Sequence, residues 1–294
     1  MAGVALRYHR GMRALNQPTS WWGWHWEPPT PMSIAELIRA GNLSAELAAM
    51  FWVAMERGAS MIIAADPPSS GKTTTLSALM TFTRPDTLVY FTRGVGETFT
   101  LPPVSPHYDT YILVNEMSDH IPVYTWDDHA RRVFELLAEG YRLGTTMHDN
   151  TVEGVLAQLE RDLAIPQRHI AGLTFVVPMF IGRLQGVVRR IAEAAMLEPD
   201  GDSYRVSRVV AWDRDADAFR LFPQRGAREA FAQWASLTPA QLDDSIVDRT
   251  RFLEALIKAG ATTIPEVNAA VLAYQEQALG MTSAPAAHGE DASA

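Results

Sequence analysis

Residues 61–75 limit the folds open to this chain more than any other stretch. Met61-Ile62-Ile63-Ala64-Ala65 is a short apolar run that breaks into Asp66-Pro67-Pro68-Ser69-Ser70-Gly71-Lys72-Thr73 and then into a helical pattern. Such a run, bounded by turn residues, reads as a buried strand. A strand, a loop and a helix opening on Gly-Lys-Thr is the setting of the Walker A phosphate loop. There, successive backbone N–H groups form a nest for an anion, and the helix N-terminus adds its dipole. On this reading Pro68, Ser69, Ser70, Gly71, Lys72, Thr73 and Thr74 form a nucleotide-binding loop. Lys72 bridges the β- and γ-phosphates, and the Thr73 hydroxyl ligates Mg²⁺. The competing reading is a chance Gly-Lys-Thr at a helix start. Against it, only Lys72 and Lys258 are lysines among 25 Lys plus Arg, so a lysine kept here is not a generic charge. The loop also departs from the pattern. Asp66 stands where a glycine usually begins it, and two prolines remove N–H donors.

Further apolar runs lie at 88–91, 111–114, 143–147 and 174–177, with helical patterns at 74–82, 127–139 and 152–162. Strand and helix alternating in this way predict an α/β fold with a mainly parallel, doubly wound sheet. Residues 187–197 and 204–211 read as strands added near an edge. Before the loop, Ser33-Ile34-Ala35-Glu36 is a capping box for a helix to about Ala40. A second helix is expected from about Ala45 to Arg57. Thr238-Pro239-Ala240-Gln241 and Thr263-Ile264-Pro265-Glu266 open further helices. The expected organisation is an irregular Trp-rich arm over 1–30, a nucleotide-binding domain over 31–224, a small C-terminal helical domain over 225–279 and a disordered tail over 280–294. The cluster Trp21, Trp22, Trp24 and Trp26 either pins the arm to the domain or contacts another subunit.

Two more pieces bear on chemistry. Tyr111-Ile112-Leu113-Val114-Asn115-Glu116 is an apolar strand ending in an acid, the Walker B arrangement, and Glu116 is the candidate for orienting an attacking water. Gly144-Thr145-Thr146-Met147-His148 places a histidine just past another strand, where it would sense the γ-phosphate.

Together these residues resemble the secretion ATPase superfamily, which drives type II and type IV secretion, type IV pili and archaeal flagella. Ser70-Gly71-Lys72-Thr73-Thr74-Thr75-Leu76 matches that family's Walker A, Tyr111 to Glu116 its Walker B strand, and Gly144 to His148 its His box. Val188-Arg189-Arg190-Ile191-Ala192-Glu193 resembles the strand that follows. Phe252 to Tyr274 resembles the C-terminal helices of the archaeal-type branch. The resemblance covers roughly 28–278. It implies a RecA-like P-loop core, ATP and Mg²⁺ as ligands, and Glu116, Lys72 and His148 as catalytic residues. It also implies a hexameric ring, or a hetero-oligomer with a full-length motor, working on an inner-membrane platform protein from the cytoplasmic face.

The departures from the family are specific. Thr92 and Arg93 stand where its Asp box has an acidic pair, with Glu97 off register. Asn115 replaces the Walker B glycine, and Ser118 an arginine. The arginine-bearing stretch shrinks to 94–110 and holds no arginine. The family's large N-terminal domain is represented by about 30 residues. Two functional readings follow: an ATP-hydrolysing motor subunit, and a degenerate nucleotide-binding partner of a full-length motor with little turnover. Arg93, Arg131 or Arg142 are the candidates to supply the missing charge. A nucleic-acid translocase on the same core is a third reading, opposed by the net charge of -9, so no nucleic-acid partner is expected. The absence of cysteine rules out disulfides and thiolate metal sites, and no apolar run reaches transmembrane length.

Overall fold

The computed structural model describes residues 13–15, 31–183 and 186–278. The apolar runs form the interior of one sheet. They comprise β2 (Met61–Ala64), β3 (Leu88–Phe91), β4 (Thr110–Leu113), β5 (Arg142–Met147) and β6 (Phe175–Arg183). β2 is buried along its whole length, as a central parallel strand must be. Its side chains divide by the period of two. Met61 and Ile63 enter one apolar core, and Ile62 and Ala64 enter the other.

Helices cover both faces. On one side lie α1 (Ile34–Arg39), α2 (Ala45–Met55) and α3 (Lys72–Leu79). On the other lie α4 (Asp127–Ala138), α5 (Val152–Ala157) and α6 (Gln167–Ile170). The α1 capping box forms as expected: Ser33 accepts from the N–H of Glu36, whose carboxylate accepts from the N–H of Ser33.

Three antiparallel strands extend the sheet beyond β6: β8 (Glu193–Asp200), β9 (Ser203–Asp213) and β10 (Ala218–Leu221). β7 (Val187–Ile191) folds back on β6 as a hairpin. A strand at Arg13–Leu15, β1, pairs in parallel with β3. This corrects the expectation of an irregular arm at those residues. The backbone of β3 would otherwise present an open row of donors and acceptors, and a three-residue strand carries no readable periodicity. The rest of 1–30, including the four tryptophans, lies outside the described residues, as does the tail.

The sheet order is β1-β3-β4-β5-β2-β6-β8-β9-β10, parallel from β1 through β6. The strand that feeds the 66–71 loop, β2, is thus separated from β4, the strand that leads to Glu116, by one intervening strand, β5. That is the RecA-like arrangement.

The last helices, α7 (Ala227–Trp234), α8 (Pro239–Lys258) and α9 (Ile264–Ala278), share the core of α1–α3. They explain α2, whose residues Leu47 to Met55 are all fully buried. A helix apolar on every side needs a cover on every side. Trp52 of α2 stacks on Phe82 at 4.7 Å, and its indole N–H donates to Glu56 at 2.6 Å. The Arg249 guanidinium of α8 lies 5.5 Å from the Trp52 ring and 5.6 Å from the Tyr274 ring, and donates to Glu56 at 2.5 Å. No described helix is long and apolar enough to cross a membrane.

Candidate nucleotide site

Strand register brings the sequence candidates together. Parallel β5 lies between β2 and β4, with Ala64 opposite Met147 and Met117 bridged to Met147. The residues just past these positions therefore meet at the carboxyl ends of these interior strands. They are Asp66 after β2, His148 after β5 and Glu116 beside Met117. His148 spans the gap. Its Nε2 lies 2.9 Å from the Glu116 carboxylate and its Nδ1 lies 2.9 Å from the Asp66 carbonyl. Both partners are acceptors, so the doubly protonated ring satisfies both contacts. Accordingly the hydrogen bond to Glu116 raises the His148 pKa against the opposing effect of burial. Burial acts to raise the Glu116 carboxyl as well. The bond and charge of His148, with lesser help from Lys72 and Ser118, overcome that and hold it below its ordinary value.

Lys72 opens α3 and is 6% exposed. Its ammonium donates to the Ala65 carbonyl at 2.9 Å. Burial lowers its pKa, with Glu116 and then Asp66 opposing. A partly desolvated ammonium of this kind gains from an arriving anion. Gly71 precedes it at φ +96, the left-handed region where a glycine is needed, and gives α3 no side-chain cap. The first-turn N–H groups of the helix are thus left for another acceptor. Ser69 also has positive φ, +57. The Ser70 hydroxyl is buried with no hydrogen-bond partner among the described residues. An uncapped helix start, a buried orphan hydroxyl and a desolvated lysine fit a phosphate group. Thr73 lies in the first turn of α3, where its hydroxyl would serve a phosphate-bound Mg²⁺. Pro67 and Pro68 offer no N–H.

Arg189, on β7, is the contributor that the sequence did not single out for this role. Its Nε donates to the Ser69 carbonyl at 3.1 Å, and its side chain lies against Gly71. Two of the three arginines considered instead are engaged elsewhere. Arg142 begins β5, at the opposite end of the strand from His148, and pairs with Asp109 at 3.1 Å. Arg131 binds Asp128 and the Leu163 carbonyl. Arg93 is exposed. Glu97 is buried and accepts from the Tyr90 hydroxyl and from the N–H groups of Arg93, Thr98 and Phe99. It holds its own loop together. Asn115, at the Walker B glycine position, is buried, with its carbonyl bound by the Thr146 hydroxyl.

No protein-family model matches the chain. It is 24% identical over 276 residues to the uncharacterized protein MJ0900 of Methanocaldococcus jannaschii, covering 85% of this chain and 50% of that protein. It is 21% identical over 246 residues to the uncharacterized protein MJ1287 of the same organism, covering 76% of this chain and 91% of that one. Among solved structures it is similar to the VirB11 ATPase of the Brucella suis type IV secretion system, with 18% identity, a TM-score of 0.37, and 54% of this chain and 53% of that one covered. It is also similar to the Legionella pneumophila ATPase DotB, with 12% identity, a TM-score of 0.34, and 83% and 66% covered. The chain spans about half the length of MJ0900 and of VirB11.

Proposed function

We propose that this chain binds Mg-ATP and hydrolyses it slowly, as a secretion-ATPase-like subunit of a type II/IV secretion or type IV pilus-like machine. The observation that carries the reading is the convergence of three basic side chains on the backbone of one loop. Lys72, His148 and Arg189 donate to the carbonyls of Ala65, Asp66 and Ser69, with Glu116 bound to His148. Each can exchange its carbonyl for a phosphate oxygen, and Glu116 is then released to orient water. Bound Mg²⁺, held from Thr73, would neutralise charge on the phosphates. Pro68, Ser69, Ser70, Gly71 and Thr74 would complete the loop around the nucleotide.

The motif resemblance supports the assignment to a secretion machine. On it rest the ring of like subunits, or the hetero-oligomer with a full-length motor, and the work at a membrane platform from the cytoplasmic side. The second reading, a nucleotide-binding partner with little turnover, draws on Thr92 and Arg93 in place of an acidic pair and on the arginine-free 94–110 stretch. The test common to both is thermal. Mg-ATP should raise the melting temperature of the wild type and leave Lys72→Ala unmoved. An equal shift in the two proteins would remove the phosphate-loop assignment.

A further inference from the structure

His120 plays no part in the nucleotide reading, yet it sits against the two residues that do. Its ring lies 5.0 Å from that of His148, and its Nδ1 is 4.0 Å from the Glu116 carboxylate. The donor atoms of Glu116, His120 and His148 all lie within 4.8 Å of one another. We propose that these three residues bind a late first-row divalent metal ion, of which zinc is the best fit, at the end of β4 and β5.

Two imidazoles and one carboxylate match the three protein ligands of an open tetrahedral zinc site. Magnesium prefers oxygen ligands, so this site is chemically distinct from the Mg²⁺ expected at Thr73. The outer contacts suit the purpose. Nδ1 of His148 is held 2.9 Å from the Asp66 carbonyl. When Nδ1 carries the single proton of the neutral ring, the Nε2 lone pair faces the carboxylate, the tautomer a metal requires. The Ser118 hydroxyl donates to Glu116 at 3.0 Å and fixes the carboxylate. Tetrahedral zinc with bonds of about 2.0 Å sets its ligand atoms roughly 3.3 Å apart. Glu116 and His148 already stand at 2.9 Å. His120 must move by about an ångström to reach that spacing, and its side chain is 58% exposed and free to do so.

Such an ion would draw Glu116 and His148 out of their mutual hydrogen bond and occupy the carboxylate proposed to orient water. The site would therefore make turnover sensitive to zinc at constant Mg²⁺. This consequence rests on the nucleotide reading, whereas the metal site itself does not.

The experiment is a titration of nucleotide-free protein with Co²⁺, followed by visible absorption. The expected result is a ligand-field band that saturates at one equivalent, is displaced by Zn²⁺ and survives a large excess of Mg²⁺. His120→Ala should weaken Co²⁺ binding about tenfold or more, with Mg-ATP binding and melting temperature unchanged. Lys72→Ala should bind Co²⁺ like the wild type. No band, or equal affinity in His120→Ala, would overturn the metal site and leave the nucleotide reading standing. Loss of ATP binding with intact Co²⁺ binding in the wild type would do the reverse.

Discussion

Asp66 stands at the loop position where a glycine normally lets backbone approach phosphate. Here its backbone is committed: the N–H donates to Asn150 at 3.0 Å and the carbonyl faces His148. Its carboxylate is exposed but close enough to Lys72 to help hold that ammonium charged. An incoming triphosphate would feel the same negative charge. At the high effective dielectric of an exposed group this repulsion is on the order of 1 kcal/mol. Asp66→Gly should therefore tighten Mg-ATP binding about fivefold by calorimetry, and weaker binding would mean that the aspartate serves to shape the loop. Arg189→Ala should act in the opposite sense. It removes a charge-assisted donor that we place on phosphate, so the Kd for ATP should rise about tenfold; unchanged affinity would confine Arg189 to the Ser69 carbonyl. Lys72 was legible as a candidate because it stands in Gly-Lys-Thr at a helix start, and Glu116 and His148 because each comes soon after an apolar strand. Arg189 was not, because it reaches Ser69 across 120 positions of chain. His120 was not, because nothing in its own neighbourhood distinguishes it from a loop histidine.

The strands of the parallel core were readable because burial on both faces leaves continuous apolar runs, and the helices at Ser33 and Thr238 because their capping boxes are local. The sheet order was not readable. It is set by long-range pairing, and only that pairing shows β5 lying between the loop strand and the acid strand. The β6–β7 hairpin, which carries Arg189, owes its position to a similar remote contact. Arg190 grips Asp217 with two hydrogen bonds of 2.8 Å each, and Trp212 adds a third at 2.9 Å. The Arg190 hydrogen bonds, more than any other cause, hold the Asp217 pKa at about 2 against an ordinary 3.8. A depressed carboxylate contributes stability above its unfolded value and loses it as pH falls through the folded one. Asp217→Asn should thus lower the melting temperature by a constant amount from pH 5 to 8. That gap should close as pH approaches 2, and a gap that persists in acid would show the pair to be inert. Arg249 makes a different demand on α8. It is 9% exposed, and removing it leaves the half-buried Glu56 with only the Trp52 indole N–H and the more distant Arg57 among the described residues. Arg249→Ala should cost about 3 kcal/mol in denaturant unfolding, whereas a loss below about 1 kcal/mol would mark the pair as surface-like.

At the scale of the whole molecule, the arrangement of charge sets the expected rate. Phosphoryl transfer needs a positioned water and neutralised charge on the departing and transferring oxygens. On the proposed reading Glu116 would answer the first need. On the same reading Lys72 and Arg189 would answer part of the second from within one subunit. Arg131 and Arg142 are held away from the site, and 94–110 supplies no arginine. A missing arginine of this kind is worth about 10³–10⁵ in rate, which Arg189 alone recovers only if it reaches the γ-phosphate. Two of the candidate cations are already engaged: Lys72 donates to Ala65, and His148 lies between Asp66 and Glu116. Each bond must break before the residue can act, which again favours slow turnover by a lone subunit and faster turnover once a neighbour contributes charge. Phosphate release should therefore be slow at low protein concentration and rise more than proportionally with it, or on addition of a full-length motor. Glu116→Gln should abolish release while leaving the ATP-induced rise in melting temperature in place. Turnover that is fast and strictly proportional to protein would place a complete catalytic site within one subunit, with Arg189 as the arginine that completes it.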